Sequence, residues 1–387
     1  MVNSYKVFLS AGEISGDILA SYIIRDIKKK TNHQIHFYGI AGERMMKEGG
    51  IRSIFPINEL SVMGYLEVVP KICIILFRLF QTILFIKKLK PDLVMTIDSP
   101  GFNFLLVKIV KKILKLNIPI IHYVAPTVWA YNADRAQKCA KLFNHMLVIF
   151  PFEKKYFDEV GLKCHYVGNP AIDNSTFLNN DNKNRVRKKY GLIDKKIITI
   201  IPGSRENELQ HHLHILYLYM NEACKRYKKV FFIIPTVSHL EKKLHSCLNH
   251  TNLMIVKDEV EKGLLINISD LILCKSGTSV LECISKKIPM IVFYKMSNLT
   301  AYIIKSKLKT KYVTICNMFL KQEIIPELLQ DRFTLKNLLL ESDKLMNNKV
   351  NREKQLRNMN IFLKKFYAFK IKKKEVCHII LQYLNCR

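Results

Sequence analysis

The 387 residues contain no C-x-x-C pair, no D-x-D, no G-x-G-x-x-G and no unbroken apolar run of membrane-spanning length, and each absence removes a class of protein. Ten cysteines at scattered positions, Cys73, Cys139, Cys274 and Cys316 among them, show no disulfide-stapled scaffold and suit a reducing compartment. Without D-x-D, the metal-dependent single-domain design of sugar transfer is disfavoured. His211, His212 and His214 cluster, but no matching cysteines or third carboxylate stand nearby, so they read as helix-surface residues. The longest apolar stretch, 72–86, is interrupted by Arg78 and Gln81. A spanning helix needs roughly 20 apolar residues, so this one is expected in a core or on a membrane surface. The opening MVNSYKVFLSAGE has no basic segment, apolar core and small-residue cleavage site in succession, so no secretory signal is expected.

Acidic residues are scarce too: 32 against 62 basic ones, for a formal charge of +30. Such an excess attracts anionic surfaces, whether nucleic acid, acidic lipid or phosphorylated substrates. Lysine is dispersed and accompanied by abundant Ile and Asn, so part of the charge reflects composition rather than a site. With 49% hydrophobic and 10% aromatic residues, the chain has material for two domains with sizeable cores.

Along the first half, apolar runs end abruptly in turn residues and alternate with helical patterns. The stretch LVMTIDSPGFN (93–103) is the clearest: a buried-strand run stopped by Asp98, Ser99, Pro100 and Gly101. In open α/β sheets the chemistry gathers beyond the carboxyl ends of such strands. Asp98 there reads either as a base for a substrate hydroxyl or as a turn-starting aspartate. The first unit, 5–29, is strand, turn and helix, its turn AGEISGD carrying Gly12, Glu13, Ser15, Gly16 and Asp17. The glycines permit a tight turn with exposed amides, and Ser15 or Asp17 is expected to cap the helix. Glu13 points to the same sheet edge as Asp98. Further strands are expected at 36–40, 119–124, 146–150 and 164–167, so the pattern is that of a doubly wound parallel sheet. The polar, Asn-rich run 175–189 reads as the linker between domains.

The pattern then restarts. Strands are expected at 196–201, 230–234, 253–256 and 271–274; the first runs into Pro202, Gly203, Ser204 and Arg205, the last into Lys275, Ser276, Gly277 and Thr278. Small-residue turns before helices leave amides open to an anion, and two in one domain suggest a diphosphate site. Arg205 is placed to neutralise a departing phosphate, and Glu282 to hold ribose hydroxyls. The plainer alternatives are a surface salt bridge and a solvated helix residue. Two Rossmann-like halves facing a cleft, with the nucleotide in the second, describe a nucleotide-sugar glycosyltransferase.

The motifs AGEISGD, GIAGERM, VMGYLEVVP, IDSPGFN, YVAPTVWAY, FPFE, IPGSRENE, KSGTSVLE and PELLQ, in this order to about residue 330, together resemble the lipid-A-disaccharide synthase family. The resemblance implies an inverting, metal-independent transferase of GT-B fold without a cofactor. It would move 2,3-diacylglucosamine from its UDP derivative to the 6-hydroxyl of 2,3-diacylglucosamine 1-phosphate, giving the β-1,6-linked disaccharide phosphate and UDP in lipopolysaccharide biosynthesis. Asp98 matches the family's general base, with Glu13 and Arg205 beside it in the catalytic set. Arg205, Glu208, Ser276, Gly277, Thr278, Glu282, Asn317, Glu327 and Gln330 match the UDP side; Gly12, Ser15, Gly16, Met63 and Asn103 fall on the acceptor side. Tyr131 stands where a second tryptophan is usual, and Asn169 where histidine is usual.

Acylated substrates imply work at a membrane surface, the cytoplasmic face of the inner membrane of a Gram-negative bacterium. Two stretches suit it: the apolar helix, through Ile72, Ile75, Leu76 and Leu79, and the segment 299–311, through Tyr302, Ile303, Lys305 and Lys307. Expected domains are 1–175 for acceptor and membrane, 190–345 for the UDP-sugar, and helices in 346–387 that return to the first domain or are exchanged in a homodimer. The expected partners are the two acyl sugars and anionic lipid, with no nucleic acid. Two rivals are a same-fold UDP-sugar transferase or epimerase with a soluble substrate, and a non-catalytic basic protein that binds RNA or membrane; neither an aromatic-basic RNA module nor a concentrated basic run supports the latter.

Overall fold

A computed structural model of the chain describes residues 4–60, 69–129, 134–169, 172, 178–307, 310–367 and 375–385. The chain divides into two compact units, Met1–Asn169 with Phe369–Arg387 and Pro170–Ala368.

In the first unit the order is β1 (Ser4–Ala11), α1 (Ile14–Lys30), β2 (Gln34–Ile40), α2 (Glu43–Gly49), α3 (Ile72–Leu89), β3 (Leu93–Ile97), α4 (Pro100–Lys112), β4 (Ile120–Tyr123), α5 (Asp134–Leu142), β5 (His145–Val148), α6 (Lys154–Asp158) and β6 (Cys164–Tyr166). The six strands form one parallel sheet in the order β2-β1-β3-β4-β5-β6. All five residues of β3 are buried, as an apolar run in the middle of a doubly covered sheet must be. The chain leaves β1 toward β2 on one side and returns to β3 on the other. That reversal opens a crevice at the carboxyl ends of β1 and β3, where Ala11 pairs with Ile97, and it brings the AGEISGD turn beside Asp98.

The second unit repeats the plan with α7 (Asn180–Lys189), β7 (Lys196–Ile201), α8 (Glu206–Arg226), β8 (Val230–Pro235), α9 (Ser238–Cys247), β9 (Leu253–Val256), α10 (Glu259–Asn267), β10 (Leu271–Lys275), α11 (Ser279–Ser285), β11 (Met290–Tyr294), α12 (Asn298–Lys307), α13 (Ile315–Leu320), β12 (Glu327–Leu329), α14 (Leu335–Met346) and α15 (Lys349–Tyr367). Its parallel sheet runs β12-β11-β10-β7-β8-β9. The reversal lies between β7 and β10, where Ile201 pairs with Cys274, so the PGSR and KSGTS turns flank one crevice.

Four expectations change. Residues 180–189 are not linker but helix α7, capped by Asn179, whose side chain accepts from the Asn182 N–H. Helix α1 begins at Ile14, so Ser15 and Asp17 lie inside it and do not cap it. Instead Asp17 accepts from the N–H groups of Gly42, Arg44 and Met45 and caps α2, tying two motifs together. Strands β11 and β12 extend the second sheet beyond the four strands expected. The last two helices part company: α15 belongs to the second unit, whereas α16 (Val376–Asn385) buries Cys377, Ile379, Ile380 and Leu384 in the core of the first.

Candidate active site

The turn after β3 is held in an unusual shape. Asp98 and Ser99 both have left-handed backbones, at φ 50° and 47°, and Val124 at the end of β4 has φ 70°. Such conformations cost about 1–3 kcal/mol each for residues with a Cβ and persist only when the surroundings over-determine them. Asn103, fully buried on α4, supplies that constraint: its amide nitrogen donates to the carbonyls of Asp98 (2.8 Å) and Ile97 (3.3 Å), and its oxygen accepts from Ser10 Oγ (2.6 Å). Asp98 is further fixed by its N–H, which donates to the Tyr123 carbonyl (2.9 Å). The Ser99 N–H donates to Asp98 Oδ1 (2.8 Å) and Ser15 Oγ to Oδ2 (3.4 Å). A Cβ on Gly12 would lie 2.3 Å from Ser99 Oγ, so the two turns close on each other only with glycine there.

The structure thus brings Gly12, Ser15 and Asp98 to one crevice, with Glu13 half-buried at the N-cap position of α1 and its side chain not capping the helix. Gly16 is buried beneath, against Ala11 and Ile97. Asn103 lies below the surface, as the brace of the turn. Met63 and Tyr131 lie outside the described residues. Deeper at the same edge, Trp129 Nε1 donates to Glu153 Oε1 (3.1 Å), which joins the APTVW and FPFE motifs. Burial pushes the Glu153 carboxyl up to about 8, although the Trp129 indole and the Phe150 and Ile149 N–H groups oppose this.

In the second unit the crevice is cationic. Glu208, 5% exposed on the first turn of α8, holds Lys275 Nζ at 2.7 Å and Arg205 Nη1 at 3.0 Å. It also accepts from the Ser204 N–H at 3.3 Å. Burial pushes its carboxyl up, but Lys275 and Arg205 more than offset this and keep it below the usual carboxylate range. Gly203 has φ +126°, and a Cβ there would meet Glu208 Oε2 at 2.4 Å; glycine is required for the turn to fold over the carboxylate. Two cations around one carboxylate leave a net positive charge at the strand ends, beside the exposed Gly277 and Thr278 and the half-buried Ser276 and Glu282.

Three residues placed on the UDP side by the resemblance are engaged in holding loops. Asn317 is fully buried: its oxygen accepts from the Ile324 and Ile325 N–H groups, and its nitrogen donates to Glu327 Oε1. Glu327 in turn accepts from the Val313 and Thr314 N–H groups. The Gln330 amide pairs with the backbone of Met296.

Three further residues emerge at this edge. Lys275 stands in the KSGTS motif and, like Arg205, is a cation of the crevice. His212 is not a surface residue: it is fully buried, with Nδ1 2.9 Å from the Pro202 carbonyl and Nε2 accepting from the Lys295 N–H (3.1 Å), so it couples the loops after β7 and β11. Burial lowers its pKa to about 4 and keeps it neutral. Thr236, just past β8, is buried with a hydroxyl that has no partner among the described residues. The position of each after a strand or on α8 is readable in sequence; the burial that gives it a role is not.

The apolar helix α3 presents only part of the face expected. Ile72 and Leu76 are exposed, but Ile75 is half-buried and Leu79 only 4% exposed, packed into the first unit's core. Ile74, Phe77 (61%), Phe80 (59%) and Leu84 also point outward. On α12 Tyr302 is 75% exposed and Ile303 half-buried, while the side chains of Lys305 and Lys307 lie outside the described residues.

Comparison with known proteins agrees with this architecture. The family model described as "Lipid-A-disaccharide synthetase" matches residues 7–380. The lipid-A-disaccharide synthase of Rickettsia prowazekii (strain Madrid E) is 34% identical over 366 residues, covering 92% of this chain and 94% of the relative. That of Rhodospirillum centenum (strain ATCC 51521 / SW) is 31% identical, covering 90% and 87%. Among solved structures, UDP-GlcNAc 2-epimerase from Neisseria meningitidis bound to UDP-GlcNAc superposes with a TM-score of 0.60 at 16% identity, covering 100% of both chains. A glycosyltransferase from Rickettsia africae ESF-5 gives 0.51 at 11% identity, again over 100% of both. These likenesses show the shared fold of two Rossmann-like domains, and the near-complete sequence matches place the chain in the lipid-A-disaccharide synthase family of glycosyltransferases.

Proposed function

We propose that the protein transfers 2,3-diacylglucosamine from UDP-2,3-diacylglucosamine to the 6-hydroxyl of 2,3-diacylglucosamine 1-phosphate, with inversion and without a metal. The observation that carries the reading is the cation pair Arg205 and Lys275 held on Glu208 at the switch point of the second sheet. Fixed cations there do for a leaving diphosphate what a metal ion does elsewhere. Asp98 takes the proton from the acceptor hydroxyl as its oxygen bonds to the anomeric carbon, and the bond from that carbon to the UDP oxygen breaks. Glu13 and Ser15 orient the acceptor. Amides of the KSGTS turn and Glu282 hold the nucleotide, while Asn317, Glu327 and Gln330 shape the loops around it. Acceptor activation thus falls to the first unit and donor handling to the second.

The exposed apolar face of α3, flanked by Lys71, Lys87 and Lys88, supports docking on anionic lipid at the cytoplasmic face of the inner membrane, where acylated substrates reside. No helix among the described residues is long and apolar enough to cross a membrane. Helix α16 packs on its own chain's first unit, and its exchange between two copies would reproduce the same contacts in a homodimer.

The test is a mixed-micelle assay with both acyl sugars in the presence of chelator, comparing the parent with Asp98→Ala. Disaccharide from the parent, and turnover lowered about a thousandfold in the variant with UDP binding intact, is expected. UDP binding without product from the parent would transfer the reading to a soluble UDP-sugar. Loss of UDP binding in the variant would make Asp98 a structural aspartate.

A further inference from the structure

Helix α7 carries Asn180, Lys183, Asn184 and Arg187 at intervals of three and four, which puts all four on one face. That face lines an open depression of about 380 Å³, bordered by the turn from Asn267 to Asp270 ahead of β10 and by Arg352 from the first turn of α15. Among the described residues, three cations line it against one carboxylate. Asp270 is already engaged: its Oδ2 accepts from Arg187 Nη2 (3.0 Å) and from the Ile197 N–H (2.8 Å). Arg187 also donates to the Ile268 carbonyl (2.7 Å), and Arg352 to the Asp270 carbonyl (2.9 Å). These backbone bonds aim both guanidinium groups, and the Asp270 carboxylate offsets part of their charge. Partial burial presses Lys183 and Arg352 toward their uncharged forms, the positive charges of Arg187 and Arg352 press Lys183 further, and the Asp270 carboxylate opposes this at both without cancelling it. A bound anion would relieve this stress.

We propose that this depression is a second anion site, separate from the cations at Glu208, which takes a phosphomonoester or diphosphate group. Lys183, Arg187 and Arg352 would hold the phosphate oxygens, and Asn180 and Asn184 the polar part of the molecule that carries it. The volume suits a phosphorylated small molecule or a lipid headgroup, being within the range of roughly 300–1,000 Å³ usual for ligand pockets. The site lies at the amino end of β10, and Lys275 at the carboxyl end of the same five-residue strand. About 15 Å of sheet therefore separates the two, and one phosphate cannot occupy both.

Calorimetric titration of the full chain with sodium pyrophosphate tests the assignment, using Lys183→Gln, Lys183→Gln with Arg352→Gln, and Arg205→Ala. Arg187 is left intact because it also holds the Ile268 turn. The expected result is a binding event weakened about tenfold by Lys183→Gln, abolished in the double variant and retained in Arg205→Ala. An event that survives Lys183→Gln and vanishes in Arg205→Ala would overturn the proposal, as would no binding by the parent. Vesicles of phosphatidylglycerol and phosphatidylcholine separate the two sources of phosphate. Lys183→Gln that weakens pyrophosphate binding alone supports the site with a soluble ligand; weakened binding to phosphatidylglycerol vesicles in parallel supports it with a headgroup.

Discussion

The crevices of the two units occupy the same place in the same kind of sheet and are held by opposite means. In the first, two successive left-handed residues present Asp98, and a neutral amide, Asn103, fixes them through backbone carbonyls. In the second, a buried carboxylate, Glu208, fixes two cations. Under the proposed function, the group that takes a proton is presented by shape, and the groups that meet a phosphate are presented by charge. A cation in place of the Asn103 amide would stabilise the Asp98 carboxylate and weaken it as a base. Neutral bracing beneath Arg205 and Lys275 would leave two like charges to repel. Each kind of brace suits the charge of what it holds.

Removing the braces separates the two designs. Glu208→Ala leaves two partly buried cations without their counter-charge and is expected to cost about 3 kcal/mol, read from urea unfolding. Its UDP affinity should fall as well, because the cations lose their aim. Affinity that rises would mean that net charge matters more than fixed geometry. Asn103→Ala, which loses neutral hydrogen bonds, is expected to cost about 2 kcal/mol and to reduce turnover while leaving UDP affinity unchanged.

The second comparison is in acid. Buried His212 has its pKa lowered to about 4, and His122 of β4, bonded to Thr96 Oγ1, to about 3, both by burial. The unfolded chain binds protons at these rings below about pH 6.5, whereas the folded chain refuses them down to those values. The stability that these two histidines contribute is therefore complete above pH 6.5 and drains away as pH falls from there toward 4. The His212 share is roughly 3 kcal/mol. Unfolding free energies across this range should slope less in His212→Gln than in the parent; equal slopes would remove His212 as the acid-sensitive link between the loops after β7 and β11.

The strands with buried runs between turn residues, such as LVMTI and KIITI, were legible because a doubly covered parallel strand leaves that pattern. Strand β12 has only three residues, and β11 follows a lysine pair without a clear turn, so neither stood out. Helix α7 has almost no apolar periodicity; it is stabilised by its Asn179 cap and by Arg187 reaching Ile268 and Asp270, a contact across 81–83 residues of chain. In the site, Asp98, Arg205 and the small-residue turns followed from strand ends. That Asn317 and Glu327 use their polar atoms on each other depends on tertiary placement, as does the choice between Leu79 and Phe77 for the outward face of α3. Periodicity marks a helix as apolar; only the position of the core says which side is spare.

Salt should sharpen the contrast by the smallest margin. A tenfold rise in salt from 0.05 M shortens the Debye length from about 14 Å to about 4 Å, so attraction of a diphosphate to Arg205 and Lys275 weakens. Both cations retain some exposure, 17% and 14%, so screening reaches them only in part, and an increase in the UDP dissociation constant of about threefold is expected. Lys275→Gln, with one cation fewer, should show a shallower dependence. The Asn103 bracing has no charge to screen, so turnover at saturating donor should respond little once vesicle or micelle binding is held constant. A salt dependence as steep in Lys275→Gln as in the parent would place the phosphate attraction elsewhere on this +30 chain and leave Glu208 with a purely structural pair.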